Sequence, residues 1–328
     1  MQQKIRIGIV GYGNLGRGVR SAIAQNPDME LVAVFSRRDP KSLEQRGESV
    51  RFVHIADVEQ FRNDVDVMIL CGGSATDLPE QTPQLASLFH TVDSFDTHAK
   101  IPAFFETVNT AALEGERVSV ISTGWDPGLF SMNRLLAESI LPEGKEYTFW
   151  GKGVSQGHSD AIRRVPGVQA GVQYTVPVQT AIDLIRSGET PELKTRDKHM
   201  RDCYVVAEDG ADENAIREAI VSMPNYFSDY NTSVTFITAE ELEREHSGMP
   251  HGGFVMRSGV TGAGTKQRIE FGLELESNPE FTASVLIAYA RAAFKLAAEG
   301  QTGARTVFDI PLGHLSPKSA AELRKELL

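Results

Sequence analysis

The run Gly11-Tyr12-Gly13-Asn14-Leu15-Gly16 follows directly on the apolar stretch Ile5 to Val10. A glycine-rich turn between a strand and a helix lets a pyrophosphate approach the amides of the helix N-terminus, where a side chain would block the phosphate or the helix–strand contact. The surrounding residues complete the unit. A helical pattern runs from Arg17 to Gln25, Pro27-Asp28 makes a turn, and Leu31 to Phe35 forms a second strand. Together they span roughly the 30 residues expected of such a βαβ unit. A site for NAD usually carries Asp or Glu at the end of that second strand, to hold the ribose hydroxyls. Here the residues are Ser36-Arg37-Arg38. Two forked guanidiniums and a hydroxyl suit a 2′-phosphate, which a carboxylate would repel. The pattern therefore predicts NADP rather than NAD.

Later strands deliver more small and polar residues to the same place. Val65 to Cys71 is an apolar strand opening into Gly72-Gly73-Ser74-Ala75-Thr76. Thr91 to Phe95, with Ser94 in it, is a short strand ending at Asp96, and a helix is predicted over Ile101 to Glu114. Arg117 to Ser122 is a strand ending in Thr123-Gly124-Trp125-Asp126-Pro127-Gly128. Strands alternating with helices predict an α/β fold, a Rossmann-type doubly wound parallel sheet. Gly11, Ser36, Ser74, Asp96 and Asp126 then share its carboxyl edge, where such sheets bind ligands.

From Tyr147 to Phe271 the character changes. Tyr147 to Trp150, Cys203 to Val206, Ser233 to Ile237 and Gln267 to Phe271 alternate and are bounded by turn residues, with a helix at Glu213 to Ser222. They predict a largely antiparallel sheet with helices, an α+β substrate and dimerisation unit. Gln156-Gly157-His158-Ser159-Asp160 reads as a loop, with Asp160 a candidate cap for a helix Ala161 to Arg164. His199-Met200-Arg201 leads into the strand at Cys203, and His246 to Gly253 reads as a loop with two histidines. Beyond Asn278-Pro279 a long apolar helix, Phe281 to Glu299, is predicted to pack deep. Ser316 is predicted to cap a last helix with Pro317 in its first turn. Residues 1–125 with 277–328 are expected to form the dinucleotide unit, and 126–276 the substrate unit.

Bulk properties narrow the class. The 328 residues suffice for two domains. A net charge of −11 argues against nucleic acid or an anionic membrane as partner. Two cysteines, Cys71 and Cys203, are too few for a disulfide framework and fit a reducing cytoplasm. There is no CxxC pair and no HExxH helix, so no metal is expected. Met1-Gln2-Gln3-Lys4 runs straight into the first strand, leaving no room for a signal peptide, and no apolar run is expected to approach membrane-spanning length.

The whole chain resembles the meso-diaminopimelate dehydrogenases. The carriers are GYGNLGR (11–17), FSRR (35–38), STGWDPG (122–128), FWG (149–151), SQGHSDAIRRVPGV (155–168), QYT (173–175), EHSGMPHGG (245–253) and NPEFTAS (278–284). The long middle motifs are far more specific than the glycine turn, and only Gly262 to Lys266 differs in detail. The resemblance implies an NADP-dependent oxidoreductase of lysine biosynthesis. It would oxidatively deaminate the D-centre of meso-diaminopimelate to L-2-amino-6-oxopimelate and ammonia. It implies that Asp96 and Asp126 face the reacting amine. Thr175, Arg201 and His251 would hold the distal L-centre, with Trp150, Gln156, Gly157, His158, Ser159, Asp160 and Asn278 completing the wall. It further implies that the dinucleotide lies against Gly11, Tyr12, Gly13, Asn14, Leu15, Ser36, Arg37, Arg38, Cys71, Gly72, Gly73, Ser74, Ser94, Phe95, Asp96, Thr123, Gly124, Trp125, Asp126 and Pro127, and that the protein is a cytoplasmic homodimer. Fold alone leaves three alternatives: a D-amino acid dehydrogenase of broader specificity, a dihydrodipicolinate-reductase-like oxidoreductase, and an NADP-binding sensor without turnover.

Overall fold

The computed structural model describes residues 4–43 and 50–328. The reading made of Met1 to Gln3 lies outside these residues. The chain forms two compact units, residues 1–132 with 279–328 and residues 133–278.

The first unit is built on a seven-stranded parallel sheet. Its strands are β1 (Ile5–Val10), β2 (Met29–Ser36), β3 (Phe52–His54), β4 (Val67–Leu70), β5 (His90–Asp93), β6 (Val118–Val120) and, at the edge beside β6, Gly303–Arg305. The spatial order is β3-β2-β1-β4-β5-β6 and then that last strand. The order reverses between β1 and β4, so their carboxyl ends open the crevice typical of this topology. Period-2 alternation divides β1 between two cores. Ile5, Ile7 and Ile9 join one cluster, together with the helices Asn14–Ala24 and Asn278–Ala298. Val10 joins the other, with the helices Leu78–Ala86 and Ile101–Glu114. The predicted helix Ile101 to Glu114 is observed with those bounds.

The helix Asn278–Ala298 corrects one expectation, since its 21 residues with a mean hydropathy of 1.3 are long and apolar enough to cross a membrane. Its apolar residues are core: Val285, Leu286, Ile287, Tyr289 and Leu296 are buried in the first unit. Its buried Arg291 donates to Asp28 from Nε at 2.6 Å and from Nη2 at 2.9 Å, and from Nη2 to Asn26 at 2.7 Å. The last helix is also corrected: it starts at Ala320 under Ser319, not after Ser316. Ser319 and Glu322 cap each other's backbone groups reciprocally, whereas three residues beyond Ser316 there is no acid to close the box.

The second unit holds two sheets rather than one. β8 (Gly153–Val154), β9 (Val168–Pro177), β10 (His199–Ala207) and β11 (Asn231–Phe236) form one, and β7 (Gly144–Trp150), β12 (His251–Thr261) and β13 (Thr265–Leu275) the other. The second sheet is antiparallel throughout, and within the segment Gly262 to Lys266 the turn joining β12 to β13 takes 262–264, with Thr265 and Lys266 opening β13. In the first sheet β10 and β11 are parallel, because the helix Glu213–Val221 crosses over between them. The prediction of a largely antiparallel sheet missed that crossover. Gln156 to Asp160 is not a loop but the start of the helix Gln156–Arg163, so Asp160 lies inside the helix and does not cap one. Buried Ala161 and Ile162 pack this helix into the core beside Val168 and Cys203.

Candidate active site

At the carboxyl edge of the parallel sheet, Gly11 has φ +92°, a left-handed conformation that side chains resist. A Cβ on Gly16 would lie 2.1 Å from the Gly11 carbonyl oxygen, so only glycine lets the helix Asn14–Ala24 start this close to β1. A Cβ on Gly13 would meet nothing within 4 Å. The turn is thus closed on the protein side and open on the solvent side, as a phosphate cradle must be. A cleft of about 270 Å³ continues from it, lined by Gly11, Gly13, Ser36, Arg37, Arg38 and Gly72 among others. The Tyr12 ring is buried against Phe52, with centroids 5.1 Å apart, and its hydroxyl accepts from Arg20.

The basic pair forms part of the cleft's lining. Arg38 Nη2 donates to the Tyr12 carbonyl at 2.7 Å, and its backbone N–H donates to Ser36 Oγ at 3.1 Å. Arg37 is largely exposed and reaches over to Asp77 at 2.8 Å. Asp77 also accepts from the Gly73 N–H at 2.9 Å. Gln81 Oε1 is buried at the cleft without a hydrogen-bond partner. An open glycine cradle, a guanidinium pair and an orphaned acceptor fit a phosphorylated dinucleotide. Asp77 and Gln81 were not singled out in the sequence, because they lie at the cap and in the second turn of the helix Leu78–Ala86 rather than in a glycine motif.

Cys71 lines the cleft, and burial holds its thiol neutral by pushing its pKa up. Ser74 Oγ accepts from the Asp96 N–H at 2.8 Å, fixing the turn after β5 to the turn after β4. Ser94 is half-buried, Phe95 is stacked in the core on Phe104, and the Thr123 side chain is fully buried. Of the Phe95 and Thr123 side chains, neither faces solvent. Gly128 closes the Gly124 to Gly128 turn: at φ +132° its Cβ would sit 1.8 Å from the Gly124 oxygen. Trp125 is buried edge-on against Phe130, while Asp126 and Pro127 are partly exposed on the turn.

In the second unit the decisive strand is β10. It begins at His199, four residues before the predicted start, and alternates so that His199, Arg201 and Cys203 face inward. Inward polar residues disguised the strand, since the alternation that marks one is normally apolar. Arg201 is 6% exposed. Its guanidinium donates to Thr175 Oγ1, its register partner on β9, and lies 3.9 Å from the centroid of the Tyr230 ring. Its Nε is buried without a hydrogen-bond partner, and among the described residues no carboxylate pairs with it. Desolvation lowers its pKa. The neighbouring Gln173 Oε1 is buried and unpartnered as well.

Two glycines bring a third group alongside. Gly153 pairs with Thr175, and a Cβ on it would lie 2.4 Å from the His251 ring. A Cβ on Gly151, at φ +114°, would lie 2.1 Å from the Thr175 carbonyl oxygen. Thr175, Arg201 and His251 are therefore one cluster. Asn278 joins its margin, its N–H donating to the Met249 carbonyl at 3.0 Å. The Trp150 ring stacks on His199 at 5.3 Å, and the Trp150 backbone N–H donates to His199 Nε2 at 2.8 Å. That bond needs a neutral imidazole, and burial pushes His199 down to about 3.

The helix Gln156–Arg163 divides its residues by role. Gln156 and Gly157 are exposed at its start. His158 Nδ1 is 2.8 Å from Ser155 Oγ, and burial pushes it down to about 4. Ser159 is committed to structure, donating to the Ser155 carbonyl at 2.7 Å and accepting from the Gln173 N–H at 3.0 Å. Asp160 is exposed and paired with Arg163. Gln173 and Gly151 were given no role beyond their motifs, and Tyr230 and Gly153 were not singled out, although the spacing Gly151-x-Gly153 directly after Trp150 is a visible sign of close backbone approach.

A glycine cradle on a parallel sheet and a separate unit with a buried, uncompensated cation define a two-unit protein of the dinucleotide-binding class. The family model for the diaminopimelic acid dehydrogenase C-terminal domain matches residues 124–277. The chain is 63% identical over 325 residues to a meso-diaminopimelate D-dehydrogenase of Ureibacillus thermosphaericus, covering 99% of both chains. It is also similar to the DAP dehydrogenase of C. glutamicum in complex with DAP, with a TM-score of 0.91, 46% identity and 100% of each chain covered. An engineered D-amino acid dehydrogenase bound to NADP+ matches with a TM-score of 0.85 and 44% identity, over 99% of this chain and 100% of that one. The chain belongs to the meso-diaminopimelate D-dehydrogenase family.

Proposed function

We propose that this protein oxidises the D-centre of meso-diaminopimelate with NADP, releasing ammonia and L-2-amino-6-oxopimelate, and runs the reductive amination in reverse. The observation that carries the reading is Arg201, a buried guanidinium beside Thr175 and His251 with no protein carboxylate among the described residues. A substrate with a carboxylate at each end supplies the missing anion through paired N–H···O bonds. The engineered D-amino acid dehydrogenase bound to NADP+ supports the cofactor, as does the arginine pair after β2.

When bound, the nicotinamide accepts the hydride from the substrate α-carbon. The protein's part is binding, charge and proton movement. Asp96 and Asp126 hold the ammonium by opposite charge, and one of them takes the proton that must leave nitrogen before the C–H bond gives up its hydride. Water then adds to the resulting imine and ammonia departs. Arg201, Thr175 and His251 hold the L-centre, with Trp150, Gln156, Gly157, His158 and Asn278 forming the rest of the wall. A substrate with the wrong stereochemistry leaves buried donors unpaired, at about 1–3 kcal/mol each. Residues 133–278 serve as the substrate and dimerisation unit of a cytoplasmic homodimer, a reading supported by the exposed edge strand β13 and by two free cysteines.

The test is NADP and NAD reduction with meso-, LL- and DD-diaminopimelate and a panel of D-amino acids. The expected result is turnover of the meso isomer with NADP well above all others. Equal or better turnover with NAD, or preference for simple D-amino acids, sinks the corresponding part of the reading.

A further inference from the structure

Asp93, the last residue of β5, is fully buried. Among the described residues no cation pairs with it, and desolvation pushes its carboxyl up to about 6. Both carboxylate oxygens are nevertheless hydrogen-bonded. Oδ1 accepts from the Phe95 N–H at 3.0 Å and from the Ser122 N–H at 2.9 Å. Oδ2 accepts from Thr82 Oγ1 at 3.1 Å. Its own carbonyl accepts from the Thr123 N–H at 2.9 Å.

These bonds join two separate stretches of chain. One is the turn Asp93-Ser94-Phe95-Asp96, whose geometry the Phe95 bond fixes. The other is the end of β6, where Ser122 sits at φ +55°, an unfavourable conformation for serine that the Asp93 bond holds in place. Asp96 is three residues beyond Asp93, and Asp126 is four beyond Ser122. We propose that Asp93 is a positioning residue that ties the turn bearing Asp96 to the segment bearing Asp126, so that the two carboxylates approach the reacting amine at a fixed spacing. The inference rests on the roles proposed above for Asp96 and Asp126. The chemistry suits the task, because one ionisable group that only accepts can hold two amides from different segments at once.

The experiment compares wild type, Asp93→Ala and Asp93→Asn by steady-state kinetics with meso-diaminopimelate, NADPH binding by fluorescence, and thermal unfolding. Asparagine keeps an oxygen for both amides and alanine keeps none. The expected result is a kcat loss on the order of 10²-fold in the alanine variant, near-normal NADPH affinity, and recovery of most of kcat by asparagine. If alanine does not fold, Asp93→Ser replaces it: its shorter hydroxyl serves Phe95 but cannot reach Ser122, and the same kcat loss is expected. A folded variant with normal kcat and only a lower unfolding temperature overturns the proposal. So does a loss of NADPH affinity equal to the loss of kcat, which would make Asp93 part of the nucleotide platform. Wild type measured alongside separates the two layers: turnover by wild type with none lost in the variants sinks only the tie, whereas no turnover by wild type sinks the activity and the tie together.

Discussion

Burying a guanidinium without an anion costs several kcal/mol, and a chain keeps such a residue at a loss in stability unless an outside group completes it. Arg201 is in that position, with Thr175 as its hydrogen-bond partner and a tyrosine face below it. Stability and activity should therefore part company there. Arg201→Met is expected to unfold at the same temperature as wild type or higher, while kcat/KM for meso-diaminopimelate falls on the order of 10²–10³-fold. Differential scanning fluorimetry and initial-rate kinetics on one preparation check both halves. A large drop in stability together with unchanged kinetics would make Arg201 a structural residue. At this scale the sequence was informative where one residue type has one use, as with Gly11, Arg37 and Arg38, whereas a role for Arg201 came only from the resemblance to the family. It gave no role to Gln81, Gln173 or Tyr230, whose parts arise only when the fold brings Gln81 to the nucleotide cleft and Gln173 and Tyr230 beside Arg201.

Between residue and molecule stand the elements that align the cluster. The segment Gly151 to Val154 is short, yet both its glycines are packed against the backbone or the ring they position. Gly153→Ala is expected to push the His251 ring aside and raise KM for the substrate about 10-fold or more, with NADP affinity unchanged. Measuring KM for each substrate separately decides it, and a matching rise in KM for NADP would count against the assignment. The first unit's elements were legible because apolar strands and glycine turns repeat there in a regular βα rhythm. The second unit was harder for identifiable reasons. The helix Gln156–Arg163 opens with polar residues and a glycine, so its helical period shows only at Ala161 and Ile162. The parallel β10–β11 pair depends on a crossover helix that local alternation does not reveal.

On the scale of the whole protein, buried histidines set the response to acid. His90 accepts from the Val118 N–H at 2.9 Å and is pushed down to about 4, as is His158, while His199 is pushed down to about 3. Each is lowered from 6.5, so as pH falls below 6.5 the unfolded chain takes up protons first, and stability is lost progressively toward pH 3–4. Asp93 works the other way between 3.8 and about 6, because its folded form holds the proton more tightly. Three groups outweigh one, and urea unfolding should show a net loss of about 3 kcal/mol or more between pH 8 and pH 5. His199→Gln, whose amide oxygen can still accept from Trp150, should flatten part of that slope, and an unchanged slope would remove His199 from the account.

The helix Asn278–Ala298 covers one face of the parallel sheet, and its Arg291 meets Asp28 across 263 positions of sequence. During synthesis this imposes a timetable. Ile5, Ile7, Ile9 and Val19 leave the ribosome early, but their covering helix is made only after residues 133–278 have all been translated. A nascent chain halted before Pro279 therefore has its second unit complete and its nucleotide unit still lacking one layer. The nucleotide cradle therefore waits for a packing layer supplied by residues 278–298, far along the chain from the turn that layer supports.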